Sequence, residues 1–198
     1  MNFTPTKILM IRHAETSWNA EKRIQGRTDV GLSDIGRTKA GSHELPPRFS
    51  QWKWVVSPLK RTQETAFLMG AENLVTVPAI IEMNWGDWEG ETLTSLRRRF
   101  PAEMKRRERN GLDFRPPMGE SPRDVRHRLQ GWVKEINQVS SGYVVVTHKG
   151  VMRVALSLAT HWDMVEKPPI KMDWDRAHLF ETTEQNSLRL IEPNIPMG

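Results

Sequence analysis

Cysteine is missing from this chain of 198 residues. Its absence excludes disulfide frameworks, zinc–thiolate sites and thiol nucleophiles. The chain also lacks any apolar run near the roughly 18 residues that a membrane span needs, and it lacks internal repeats and low-complexity segments. Its first residues, Met1 to Lys7, are polar. We therefore expect a soluble, cytoplasmic protein that has no membrane partner and folds as one domain over residues 1–198.

Basic residues outnumber acidic ones, with 29 Lys and Arg against 24 Asp and Glu and a formal net charge of +5 at pH 7. This charge favours anionic ligands without identifying one. The basic residues are densest over residues 97–117, where Pro101 splits the chain into two predicted short helices. Two interpretations stay open: a solvated helical face, or part of a cap over about residues 85–120 that attracts a polyanionic substrate.

Short apolar runs alternate with helical patterns along the chain. Buried strands are predicted at residues 8–11, 52–56, 74–77 and 143–146, and a terminal hairpin at residues 177–181 and 188–191. Helices are predicted at residues 34–43, 58–69 and 151–159, with a further amphipathic helix from Ser121. Ser33 and Ser57 are the predicted N-caps of the first two helices, and Gly70 lies just past the second. This alternation favours an α/β fold of three α/β/α layers around a mostly parallel sheet.

Basic and imidazole side chains are predicted at the carboxyl ends of three of these strands. Arg12 and His13 end the first strand, Arg61 lies in the first turn after the second, and His148 follows residues 143–146. Ligands bind at this edge of α/β sheets, and guanidinium groups match phosphate oxygens. Together these residues predict a phosphoryl pocket, although the Arg12–His13 pair taken alone is more typical of an ordinary strand end.

Six short motifs follow one another along the chain. They are RHAETSWN at 12–19, GRTDVGLSDIG from Gly26, SPLKRTQET from Ser57, EMNWGDWEG at 82–90, GES at 119–121 and THKG at 147–150. In type and order they resemble the motifs of the histidine phosphatase superfamily, whose fold is phosphoglycerate mutase-like. The chain is shorter than the mutases of that family, and so it is more similar to the short phosphatase branch.

The resemblance implies a covalent mechanism with no metal and no other cofactor. It implies that His13 attacks phosphorus and forms a phosphohistidine, and that Glu82 protonates the leaving oxygen and then activates water. Glu89, in the same loop, is the rival carboxylate. The residues implied to hold the phosphoryl group or the rest of the substrate are Arg12, Arg61, His148, Asn19, Gly26 and Arg27.

Two positions depart from the family's motifs. Ala14 replaces a glycine, which the fold tolerates only at negative φ. Lys149 replaces the first glycine of the usual His-Gly-Gly, and it either adds a cation to the site or points to solvent. We favour solvent for Lys149. Neither change removes a residue to which the resemblance gives a catalytic role.

The expected function is hydrolysis of a small phosphorylated metabolite. The alternatives are a cofactor-dependent phosphoglycerate mutase and a non-catalytic module that binds a phosphorylated ligand or nucleic acid. A nucleic-acid partner is not expected, because aromatic side chains are not interleaved with the basic ones on strands. For the oligomeric state, a monomer or a homodimer is expected.

Overall fold

The computed structural model describes residues 3–136 and 142–198. The predicted domain over residues 1–198 therefore includes residues 1–2 and 137–141, which lie outside the described residues. Within the described ranges the chain forms one six-stranded sheet. Its strands are β1 (Lys7–Arg12), β2 (Lys53–Val56), β3 (Leu74–Thr76), β4 (Tyr143–Thr147), β5 (Ala177–Thr182) and β6 (Leu188–Ile195).

The helices lie between these strands in the chain. They are α1 (Ser17–Ala20), α2 (Asp34–Ser42), α3 (Lys60–Leu68), α4 (Leu93–Arg99), α5 (Pro101–Glu108), α6 (Pro122–Ile136) and α7 (Lys149–Thr160). None of the described helices combines the length and the apolar character needed to cross a membrane.

The strand order in the sheet is β3-β2-β4-β1-β5-β6. The first four strands of the chain run parallel to one another, whereas β5 pairs antiparallel with β1 and with β6. The prediction of a mostly parallel central sheet with a terminal hairpin at its edge is thereby confirmed. Because β1 and β4 are parallel neighbours, their carboxyl ends lie side by side.

Helices pack on both faces of the sheet, and β1 is therefore buried on both sides. Alternate side chains of a strand point in opposite directions. Ile8 and Met10 pack with residues of α6 and α7, and Leu9 and Ile11 point to the other face. α3 covers part of that other face through Ala66. The three predicted layers are therefore present.

The helix starts follow local sequence signals in one case and not in another. Ser33 caps α2 as predicted, since its Oγ accepts a hydrogen bond from the Gly36 N–H at 3.0 Å. The predicted Ser57 cap is wrong, because α3 begins only at Lys60. Pro58 disfavours the helical region for the residue before it, so Ser57 continues the line of β2 and its N–H donates to a carbonyl oxygen of β4 at 3.3 Å.

The segment of residues 85–120, called the lid segment below, contains α4 and α5. These two helices meet at Pro101, which takes the first position of α5 as predicted. They pack on a small apolar cluster separate from the main core, formed by Ile24, Trp88, Leu96 and Met104. The role of this segment as a cap over the sheet edge stays a prediction.

Candidate active site

The structure brings Arg12, His13, Arg61 and His148 together at the carboxyl edge of the parallel strands. Arg12 ends β1, His13 follows it, and His148 follows β4. The two imidazole rings lie 5.2 Å apart between centroids, tilted by 58°. Arg61, in the first turn of α3, donates from Nε to Nδ1 of His148 at 3.3 Å.

His13 has a defined tautomer. Its Nδ1 lies 2.7 Å from the carbonyl oxygen of Ala14, and since a carbonyl can only accept, Nδ1 carries the proton. Nε2 therefore keeps its lone pair. Burial lowers the pKa of His13 well below its usual value, and the charges of Arg12 and Arg61 lower it further. The imidazole is consequently neutral at physiological pH.

His148 carries its proton on the other nitrogen. Nδ1 accepts from the Arg61 guanidinium, so Nε2 is the protonated atom and donates to Oγ of Ser57 at 2.8 Å. Burial lowers the pKa of His148 well below its usual value, and the neighbouring His13 and Arg61 add to this. The sequence indicated a helix cap for Ser57, and the structure uses its hydroxyl to orient His148 instead.

Arg61 is completely buried and is fixed by three contacts. Besides His148, its Nη1 donates to the Thr28 carbonyl at 3.0 Å and its Nη2 to the Gly26 carbonyl at 2.8 Å. Gly26 has φ +53°, the left-handed conformation that glycine adopts most easily. Gly26 thus holds Arg61 with its carbonyl oxygen.

Glu89 secures the loop that carries Gly26. Its two carboxylate oxygens accept from the backbone N–H groups of Arg27 and Thr28, each at 2.8 Å. The side chain of Arg27, a predicted substrate contact, forms a 2.8 Å ion pair with Glu120. Glu89 therefore has a structural task, which separates it from Glu82.

Glu82, unlike Glu89, is on the wall of the cavity. It lines the cavity together with Arg12 and His13. Its oxygens accept from the N–H groups of Met83 at 2.8 Å and Gly150 at 3.2 Å. Burial raises the pKa of Glu82, although these hydrogen bonds work in the opposite direction. A carboxyl with a raised pKa is suited to carry a proton near neutral pH.

Arg12, Asn19, Gly26 and Arg61 also line the cavity, whereas the predicted residues Arg27 and His148 are not among the described residues on its wall. The buried Nε of Arg12 has no hydrogen-bond partner among the described residues. Asn19 lies inside α1 and completes a capping box with the N-cap Thr16, since its Oδ1 accepts from the Thr16 N–H at 3.1 Å. Ala14, which replaces the motif glycine, is absent from the residues with positive φ within the described ranges, and its N–H donates to Oγ1 of Thr65 at 2.9 Å.

The cavity at this edge has a volume of about 1050 Å³. The lid segment contributes Arg97 and Phe114 to its wall, and α7 contributes Lys149 and Arg153. Lys149 is exposed overall, yet its ammonium group lies 5.2 Å from the centre of the Trp174 ring on the cavity wall. Arg153 was not among the predicted site residues, although its place four residues after Lys149 puts both on one helix face.

The sequence profile of the histidine phosphatase superfamily, branch 1, matches residues 8–190. The chain belongs to the histidine phosphatase superfamily. This histidine phosphatase chain is 33% identical, over 156 residues, to phosphoserine phosphatase 1 of Hydrogenobacter thermophilus. The aligned region covers 74% of this chain and 72% of that protein. It is 31% identical over 166 residues to a bifunctional protein of Mycobacterium tuberculosis. That match covers 79% of this chain and 44% of the mycobacterial protein, so the chain spans less than half of that relative.

The fold is also that of the family. A solved structure of mycobacterial glucosyl-3-phosphoglycerate phosphatase aligns with a TM-score of 0.79 at 24% identity, over 96% of this chain and 99% of the other. The predicted phosphoglycerate mutase-like fold and the predicted family are therefore confirmed.

Proposed function

We propose that this histidine phosphatase chain is a metal-independent phosphomonoesterase that hydrolyses a small phosphorylated metabolite through a phosphohistidine at His13. The observation that carries the proposal is the free lone pair on Nε2 of a buried, neutral imidazole placed beside two guanidinium groups. The phosphatases among its relatives support the same reaction class. The expected cytoplasmic location stays a prediction.

In the first step, Nε2 of His13 attacks phosphorus and the bond from phosphorus to the leaving oxygen breaks. The proton of the Glu82 carboxyl passes to that oxygen, which leaves as an alcohol. The Nδ1–H bond to the Ala14 carbonyl stabilises the positive charge that forms on the imidazole. The phosphoryl group is then bound to Nε2.

In the second step, water replaces the histidine. The Glu82 carboxylate takes one proton from water while the water oxygen forms a bond to phosphorus. The phosphorus–nitrogen bond breaks and its electron pair returns to Nε2. Inorganic phosphate leaves, and both His13 and the protonated Glu82 are regenerated.

The charge on the transferred group is balanced by Arg12 and Arg61. Three of the five N–H groups of Arg61 are engaged by His148, Gly26 and Thr28, which fixes the guanidinium plane and leaves two N–H groups for phosphoryl oxygens. The unpartnered Nε of Arg12 is a further donor. We assign His148 to the same oxygens as well: its Nε2–H, which donates to Oγ of Ser57 in this structure, would turn to a phosphoryl oxygen when substrate binds. Groups held in place before the reaction stabilise developing charge most effectively.

The test is phosphate release from a panel of metabolite phosphates with EDTA present, for the wild type and for His13→Ala. We expect turnover that the variant lacks, together with acid-labile phosphate trapped on the wild type. Turnover that needs an added divalent ion, or that survives in His13→Ala, would contradict the proposal.

The same assay separates the two alternatives. Interconversion of 2- and 3-phosphoglycerate that is faster than phosphate release would indicate the mutase. Oligonucleotide binding with a steep salt dependence and no turnover on any substrate would indicate the non-catalytic module.

A further inference from the structure

We propose that Lys149 and Arg153 form a subsite for a second anionic group, so that the substrate carries another phosphate or a carboxylate besides the phosphate that is transferred. This inference rests on the proposed function, which it deepens by naming the class of substrate. It also changes the expected origin of such selectivity, from the basic lid segment to α7.

The two cations are placed where a second anion of a compact substrate would lie. Lys149 directly follows His148, and Arg153 is four residues farther along α7, on the same face. Four residues of helix correspond to about 6 Å. Both side chains line the cavity that contains His13. Lys149 and Arg153 therefore extend the positive charge of the phosphoryl site along the part of the cavity wall that α7 forms.

Neither cation has a hydrogen bond or an ion pair to a protein acceptor within the described residues, where their contacts are with the rings of Trp174 and Trp162. Among the described residues, four carboxylates line the cavity, and none of them forms an ion pair with these two cations. Glu82 accepts from the N–H groups of Met83 and Gly150, and its charge raises the pKa of Lys149 against the effect of burial. Glu15 accepts from Oγ of Ser33 at 3.0 Å. Asp175 pairs with Lys39 at 2.8 Å, and Glu108 pairs with Arg97 at 2.7 Å. An anionic substrate group would thus meet two available cations.

The lid segment is different, because many of its cations are already paired with carboxylates. The ion pairs are Arg97–Glu108, Arg99–Glu91, Arg107–Glu103 and Arg115–Asp124. Of these four arginines, only Arg97 lines the cavity. The basic composition of residues 97–117 therefore contributes less to substrate charge recognition than its sequence indicates.

Aromatic rings hold both cations in position. The Lys149 ammonium lies 5.2 Å from the Trp174 ring centre, and the Arg153 guanidinium carbon lies 4.9 Å from that of Trp162. Cations oriented in advance lose less side-chain entropy when an anion binds. Burial lowers the pKa of both side chains, and for Lys149 the charges of Arg12 and Arg153 add to this. A bound anion would relieve that repulsion.

The test compares matched substrates that differ in one anionic group. 3-Phosphoglycerate is compared with glycerol 3-phosphate, and fructose 1,6-bisphosphate with fructose 6-phosphate. The variants are Lys149→Met and Arg153→Met, which keep most of the apolar stem. Lys105→Met is the matched control, since it removes one exposed charge of α5 that is not among the described residues lining the cavity.

We expect the wild type to prefer the substrate with the second anion by at least about tenfold in kcat/KM, within one or both pairs. Each of the two variants should lower that ratio about tenfold, mainly through KM, and the control should keep it. The substrate pair that shows this preference tells whether the second anion is a carboxylate or a phosphate. A ratio near one in the wild type, or a ratio unchanged by both variants, would overturn the proposal.

Binding separates this inference from the proposed function. In His13→Ala no phosphoryl transfer is expected, so calorimetric titration reports affinity alone. The dissociation constants for the same pairs are measured in His13→Ala and in the double variant that also carries Lys149→Met. If the wild type releases no phosphate but the affinity ratio still depends on Lys149, the proposed function fails and the subsite stands. If the affinity ratio is the same in both variants, the subsite fails whatever the turnover.

Discussion

At the scale of single residues, the site depends on which groups carry a proton. His13 and His148 are both neutral but are protonated on different nitrogens, because one donates to a carbonyl and the other accepts from Arg61. Burial lowers the pKa of both histidines, whereas it raises the pKa of Glu82. A proposed nucleophile that is neutral and a proposed acid whose pKa is raised by burial are thus compatible in one site.

Replacing Glu82 by Gln tests the acid role. We expect kcat/KM for an alkyl phosphate to fall by about 10²- to 10⁴-fold, because the poor leaving oxygen no longer receives a proton. For p-nitrophenyl phosphate the loss should be far smaller, since its leaving group needs no protonation. Glu89→Gln serves as the comparison, and it should show no such dependence on the leaving group. Equal losses on both substrates in Glu82→Gln would contradict the role.

At the scale of elements, α2 approaches the loop after His13 with almost no clearance. A Cβ placed on Gly36 would lie 2.0 Å from the carbonyl oxygen of Glu15. The same carbonyl accepts from the Ser33 N–H at 2.9 Å, just before α2 begins. The start of this helix therefore holds the loop that follows His13, the proposed nucleophile.

Gly36→Ala and Gly41→Ala form a matched pair in the same helix. Gly36→Ala should lower the free energy of unfolding by about 1–3 kcal/mol and reduce phosphate release, because the methyl group pushes α2 away from the loop. A Cβ on Gly41 meets no heavy atom within 4 Å, so Gly41→Ala should be neutral or should stabilise by up to about 1 kcal/mol. Urea unfolding of both variants measures this, and equal changes would refute the clearance argument.

Local signals predicted the elements well where one residue decides the geometry. Ser33 before α2 and Pro101 between α4 and α5 were of this kind. Ser57 was misassigned because a serine before Pro58 also fits the extended end of a strand. In that case the choice was settled by pairing with β4, which is distant in the chain.

At the scale of the whole molecule, the convergence of Arg12, His13, Arg61 and His148 was predictable because parallel strands end at a common edge. The roles of the loop residues could not be predicted in the same way. Glu82 and Glu89 lie in one loop, and only the packing of that loop on Gly26 shows which carboxylate faces the cavity. Which lid arginines form ion pairs likewise depends on the side chains that lie beside them in the fold, and the composition of the segment does not reveal these neighbours.

The buried histidines also make the stability of the whole fold sensitive to acid. The pKa values of His13, His148 and His178 are lowered from 6.5 in the folded chain, chiefly by burial. Below pH 6.5 the unfolded chain binds protons that the folded chain does not, so stability falls as pH falls toward the folded pKa values. Each such histidine contributes a slope of up to about 1.4 kcal/mol per pH unit. Glu82, with its raised pKa, has the opposite sign.

Urea unfolding between pH 7.5 and 5.5, for the wild type and for His178→Asn, measures this slope. His178 is buried in β5 and belongs to no part of the proposed mechanism, so its replacement removes one proton uptake without changing the site. We expect the wild type to lose stability below pH 6.5 and the variant to lose it less steeply, whatever its stability at pH 7.5. Equal slopes would contradict the lowered pKa of His178, because they would mean that this residue binds protons equally in the folded and the unfolded chain.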